Sequence, residues 1–136
     1  MSYRKDWGQP QQGPQGFART QKHYGRTVTI TAADNVLNNT VGAFVVPAGF
    51  VVTSIIAVNT DMDSGSTMTF SVGDAASGAR YLAATSGQAA GSSTSLASTG
   101  LLFKNVTDTE ILITITAAAT TPVAGTIDLR LGGYID

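Results

Sequence analysis

His23 is the chain's single histidine, and it stands between Lys22 and Tyr24 with no second histidine and no cysteine anywhere to share a metal ion. A lone imidazole of this kind reads as a solvated or interface group rather than a catalytic base. Asn59, Asp61 and Asp63 occupy alternate positions like the first ligands of a calcium loop, yet the sixth and twelfth places hold Ser64 and Phe70, where such a loop needs Gly and Glu. Asx-type turn bonding is the better account of that triplet. Asp61 and Asp63 are also the pair that a glycosidase would require, but carboxylates two residues apart in a turn ordinarily just solvate it. The many Ser and Thr hydroxyls lack a GxSxG elbow, and the glycine-containing run at residues 73–80, GDAASGAR, has no P-loop lysine. No catalytic residue, no cofactor and no metal site is assigned, and the chain reads as a non-enzyme. Asp74 and Arg80 bracket that same run. They are expected to form an ion pair that braces the loop or joins subunits.

The composition fits a protein made to pack against others. Only 12% of the 136 residues are charged, about half the share usual in soluble domains. A chain of this length can bury a core without staples. The N-terminus lacks the apolar h-region of a signal peptide, and no apolar run approaches the ~20 residues of a membrane span. Charge is unevenly placed: residues 1–26 carry Arg4, Lys5, Arg19, Lys22 and Arg26 against Asp6, whereas the remainder carries Arg80, Lys104 and Arg130 against eight acids. A basic arm on an acidic body suits a neighbouring copy or, less well, nucleic acid, for which the body has no motif.

Two parts follow from the patterning. Residues 1–26 are rich in Gln, Gly and Pro and show neither helical nor strand period, so they are expected to form an extended N-terminal arm. Tyr3, Arg4, Trp7, Phe17, Arg19, His23 and Tyr24 are its candidate interface residues, because aromatic side chains and arginine anchor interfaces. Residues 27–136 form the domain. TVTIT at 27–31, the run at 51–58, TFSV at 69–72, EILITITA at 110–117 and TIDLRLGGYI at 126–135 alternate or concentrate β-branched residues as strands do. Further strands are expected at 42–46, 79–84 and 100–103, with a long loop over 85–99 holding a short irregular strand. The runs at 51–58 and 68–72, joined by a turn cluster, read as a central hairpin, the first strand being covered on both faces. About eight strands without a helical crossover predict an all-β, antiparallel two-sheet sandwich, jelly-roll-like, with the arm attached.

Three stretches carry a resemblance: VPAGFVVTSIIAVNT at 46–60, TFSVGDAASGARYLAAT at 69–85 and TITAAATTPVAGTIDLRLGGYI at 114–135. Together they are similar to the small capsid decoration, or cement, proteins and related head or tail structural proteins of tailed bacteriophages. The resemblance implies a jelly-roll-like sandwich, assembled as a homo-oligomer, a trimer ahead of a dimer, on the outside of a capsid after synthesis in the host bacterial cytoplasm. It further implies the major capsid protein as partner and a terminal arm that reaches neighbouring subunits. The alternatives are a tail or head-fibre component, or a carbohydrate- or receptor-binding module, the latter motivated by the 85–99 loop and by exposure of Tyr81 or Tyr134.

Overall fold

Strand patterning is strongest where buried isoleucine and leucine alternate with mainly polar residues, at 110–117 and 126–131, and those two segments are internal strands of their sheets. The computed structural model describes residues 21–136. Eight strands follow one another: β1 (Lys22–Ile30), β2 (Thr40–Val46), β3 (Phe50–Asn59), β4 (Thr69–Gly73), β5 (Leu82–Ser86), β6 (Gly91–Ser93), β7 (Thr109–Ala117) and β8 (Gly125–Ile135). In β7 Ile111, Ile113 and Ile115 are fully buried, and in β8 so are Ile127, Leu129 and Leu131. Their neighbours Thr116 and Arg130 stay exposed, as period two requires. β-branched side chains fit this half-buried pleated surface well.

The strands make two four-stranded sheets with the orders β1-β8-β3-β6 and β2-β7-β4-β5. Every pairing is antiparallel. If the chain is folded in half at the β4–β5 connection, β4 meets β5, β3 meets β6, β2 meets β7 and β1 meets β8. Winding that long hairpin so that successive pairs alternate between the layers gives a jelly roll, the two-Greek-key form of sandwich. The two layers close on Ile30, Phe50, Ile55, Met62, Met68, Phe70 and Tyr81, all at most 1% exposed.

Several expectations are corrected by this arrangement. The runs at 51–58 and 68–72 are not a hairpin, since β3 and β4 lie in opposite sheets. Their connection buries Met62 and Met68 completely, so it crosses the end of the core rather than turning back in one layer. Nor is β3 covered on both faces: Ile56 and Val58 are each 46% exposed. The apolar run at 100–103 is a turn, with Leu101 and Leu102 in water and Leu102 at φ 61°. The strand expected at 79–84 is shifted to Leu82–Ser86, and the short one within 85–99 is β6. β1 begins at Lys22, on the arm's side of the boundary placed at Thr27.

Because neighbouring strands run antiparallel, the connections collect at two ends. At one end lie residues 31–39, 60–68, 87–90 and 118–124; at the other lie 47–49, 74–81 and 94–108. Lys22 pairs with Gly133 near the end of β8, so the body also starts and finishes at the second end.

Candidate functional site

The second end holds the most elaborate side-chain cluster. β4 ends in Gly73, and Asp74 then accepts bonds from the backbone N–H groups of Ala76 at 3.0 Å and Ser77 at 2.9 Å, which folds the connection into a tight loop. That loop returns Arg80 to Asp74, Nε to Oδ2 at 2.8 Å, in a pair that is only 17% and 7% exposed. The guanidinium lies 3.8 Å from the centre of the Phe103 ring. Arg80 is thus held by charge on one side and by a π face on the other. Beside it the fully buried Tyr81 donates its hydroxyl to Asn105 Oδ1 at 3.3 Å, and Asn105 Nδ2 donates to the Phe50 carbonyl at 3.2 Å. Burial raises the Tyr81 phenol above its ordinary pKa, partly offset by the Asn105 bond.

An open pocket of about 400 Å³ is lined there by Arg80, Phe103, Val106, Asp108, Glu110 and Leu112, among others. Asp74 neutralises Arg80, and Lys104 lies 3.8 Å from Asp136. Asp108 accepts from the Ala48 N–H at 2.9 Å, but neither it nor Glu110 has a cationic partner among the described residues. Val106 is 79% exposed. A pocket with apolar walls and surplus negative charge suits an apolar or aromatic group next to a cation. It contains no nucleophile paired with a base.

The opposite end is organised by Asp63. Its carboxylate accepts bonds from five backbone N–H groups, those of Gly65, Thr67, Met68, Thr120 and Thr121, at 2.8 to 3.1 Å. Burial alone would raise its pKa, yet the N–H groups of Thr121, Thr67, Gly65 and Thr120 prevail and hold the carboxyl well below the usual carboxylate range. Asp61 accepts from the Asp63 N–H at 3.0 Å, and Asn59 donates to the Thr60 and Ala89 carbonyls. The triplet therefore serves the backbone of its own loops. No group of three or more His, Cys, Asp or Glu side chains is placed to hold a metal among the described residues.

The remaining sequence candidates are scattered. Tyr3, Arg4, Trp7, Phe17 and Arg19 lie outside the described residues. His23 is exposed on β1 opposite Gly132, and Tyr24 meets Phe50 edge-on with ring centres 5.0 Å apart. Tyr81, expected as an exposed glycan platform, is instead core, and Tyr134 is half-buried. Phe103, Asn105 and Glu110 had no motif to mark them. The one signal for the cluster was the Asp74–Arg80 bracket.

No protein-family model and no curated protein matches the sequence. Solved structures do. A chain of the "Cyanophage Pam1 capsid asymmetric unit" shares 26% identity over 95% of this chain and 94% of its own, with a TM-score of 0.77. A chain in "Capsid of Ralstonia phage GP4" shares 21% over 93% and 92%, with a TM-score of 0.76. One in "Acidic stable capsid structure of Helicobacter pylori bacteriophage KHP30" shares 14% over 86% and 93%, at 0.58. The resemblance read from residues 46–60, 69–85 and 114–135 is thereby matched in three dimensions, and the described sandwich is a fold found in phage capsid structures.

Proposed function

We propose that this chain is a non-enzymatic structural protein of a bacteriophage capsid, which decorates the outside of the shell and clamps neighbouring capsid subunits. The observation that carries the reading is the near end-to-end likeness to a chain of a cyanophage capsid asymmetric unit. The composition supports it, since a surface poor in charge and rich in small neutral side chains can be packed closely at many copies, where modest contacts add through avidity. In this reading the chain acts as a homo-oligomer on the major capsid protein, and residues 1–20, with Trp7, Phe17 and Arg19, dock on a neighbour. Cation and aromatic contacts of that kind are typical interface anchors.

The test is binding to capsids assembled from the cognate major capsid protein. The full chain is expected to co-sediment with the particles and to raise their resistance to heat or chelation, and a chain lacking residues 1–20 is expected to fold but bind at least tenfold more weakly. The truncation must stop before Lys22, because β1 completes one sheet. A full chain that stays in the supernatant overturns the proposal.

A further inference from the structure

Three observations meet at the end of the sandwich where the chain enters. First, Lys22 opens β1 opposite Gly133, so residues 1–20 join the body at the end that holds the Arg80 pocket. Second, the pocket and its surroundings leave apolar groups in water: Val106 is 79% exposed, and Val45, paired with Glu110, is 58% exposed. Third, its charge is unbalanced. Arg80 and Lys104 are matched by Asp74 and Asp136, whereas Asp108 and Glu110 face solvent without a cation among the described residues. Exposed apolar groups beside uncompensated charge mark a surface shaped for a partner.

Residues 1–20 have the complementary chemistry. They carry Arg4, Lys5 and Arg19 against Asp6 alone, with Tyr3, Trp7 and Phe17 interleaved. Their length matters too. Extended, 20 residues span up to roughly 65 Å, and Pro10 and Pro14 are incompatible with a continuous helix.

Resting on the assembly role proposed above, we infer that residues 1–20 of one copy dock in the Arg80-end pocket of a neighbouring copy. An aromatic side chain lies against Phe103, Val106 and Leu112, and the cations face Asp108 and Glu110. Glu110 and Leu112 lie on the outer side of β7, since Ile111 and Ile113 fill the core, so the pocket opens away from the interior and is reachable by a second molecule. Contacts made head to tail close into a ring when the rotation permits, which gives a cyclic oligomer.

The experiment uses the full chain with a photoreactive benzoylphenylalanine at position 7, mixed in equal parts from isotopically heavy and light preparations, irradiated and mapped by mass spectrometry. The expected result is crosslinks between position 7 and peptides covering residues 103–112, including pairs of mixed isotope. Single-isotope pairs alone, crosslinks to other faces or none would overturn the inference. A second arm follows self-association by sedimentation velocity. Glu110→Arg is expected to weaken it severalfold, and Arg19→Glu in the same chain to restore part of the loss; unchanged association in Glu110→Arg counts against the pocket. If crosslinks miss the pocket while the full chain still binds capsids, the docking site falls and the assembly role stands. If the pocket is hit but capsids are not bound, the reverse holds.

Discussion

The two ends of the sandwich are closed by different means. At one end a single carboxylate, Asp63, gathers backbone N–H groups from residues 65–68 and from Thr120 and Thr121, so connections far apart in sequence are stitched through their main chains. At the other, side chains hold side chains: Asp74 with Arg80, Arg80 with Phe103, Tyr81 with Asn105. The first end meets most of its buried polar groups internally, although Asn35 Oδ1 is buried without a partner among the described residues and Val36 and Leu37 are 55% and 51% exposed. The second leaves Leu101, Leu102, Val106 and Val45 more than half exposed, with Asp108 and Glu110 unmatched by cations among the described residues. The contrast therefore lies in the means of closure, main-chain bonds gathered by one carboxylate at the first end and side-chain pairs around Arg80, beside the pocket, at the second.

The largest stability effect should come from Asp63. In Asp63→Asn one oxygen remains to accept, and the new NH₂ confronts N–H groups that have lost their acceptor, a buried mismatch of the costly kind. Thermal melts should show a greater drop in Tm than for Arg80→Ala or Arg130→Ala, and an equal drop in Asp74→Asn would erase the contrast between the ends. The pH dependence sharpens it. A free Asp titrates near ~3.9, whereas folding holds Asp63 below that, so its contribution is complete above about pH 5 and fades as pH falls below about 4. The stability gap between the native chain and Asp63→Asn should shrink over that acid range and stay constant at neutral pH.

Next in size is Arg80→Ala, which strands the 7%-exposed Asp74 and removes the stack on Phe103. A loss of about 1–3 kcal/mol is expected in urea unfolding, the cost of leaving a buried polar group without its partner. Arg130→Ala breaks a pair with Asp128 that is 59% and 37% exposed and should cost at most ~0.5 kcal/mol. If the two arginines matched, Arg80 would be an ordinary surface group and its end of the molecule would lose its distinction.

What the sequence made legible was faces, and what it hid was partners. Ile111, Ile113 and Ile115, like Ile127, Leu129 and Leu131, declared the buried side of β7 and β8 through their alternation alone. Alternation says nothing about which strand lies alongside. β1 pairs with β8 from the far end of the chain, and β3 and β4, adjacent in sequence, part into different layers. Burial of Met62 and Met68 in the connector was the decisive fact, and an apolar residue within a polar turn cluster is a faint signal for it. Asp63 shows the same limit: its turn bond to Gly65 is local and readable, but its bonds to Thr120 and Thr121 depend on a loop brought across by the topology. The Asp74–Arg80 pair was legible because the two stand close in sequence. Phe103 was read as strand, since Leu101, Leu102 and Phe103 together look like one.

That misreading points to a small effect of the opposite sign. Leu102 sits at φ 61°, where a leucine is strained, and its N–H donates to the Val52 carbonyl at 2.7 Å, which pins the turn. The left-handed region costs a non-glycine residue roughly 1–2 kcal/mol, and glycine's greater unfolded entropy returns up to about 1 kcal/mol of that. Leu102→Gly should therefore stabilise the isolated chain by less than ~1 kcal/mol while deleting a side chain that is 59% exposed. A gain in stability accompanied by weaker self-association or capsid binding would mean that the strain is retained to present this leucine to a partner. A gain with unchanged binding would confine the interface to the pocket around Val106 and Glu110, and a clear loss of stability would show that Leu102 packs within its own chain, which would blur the difference between the two ends.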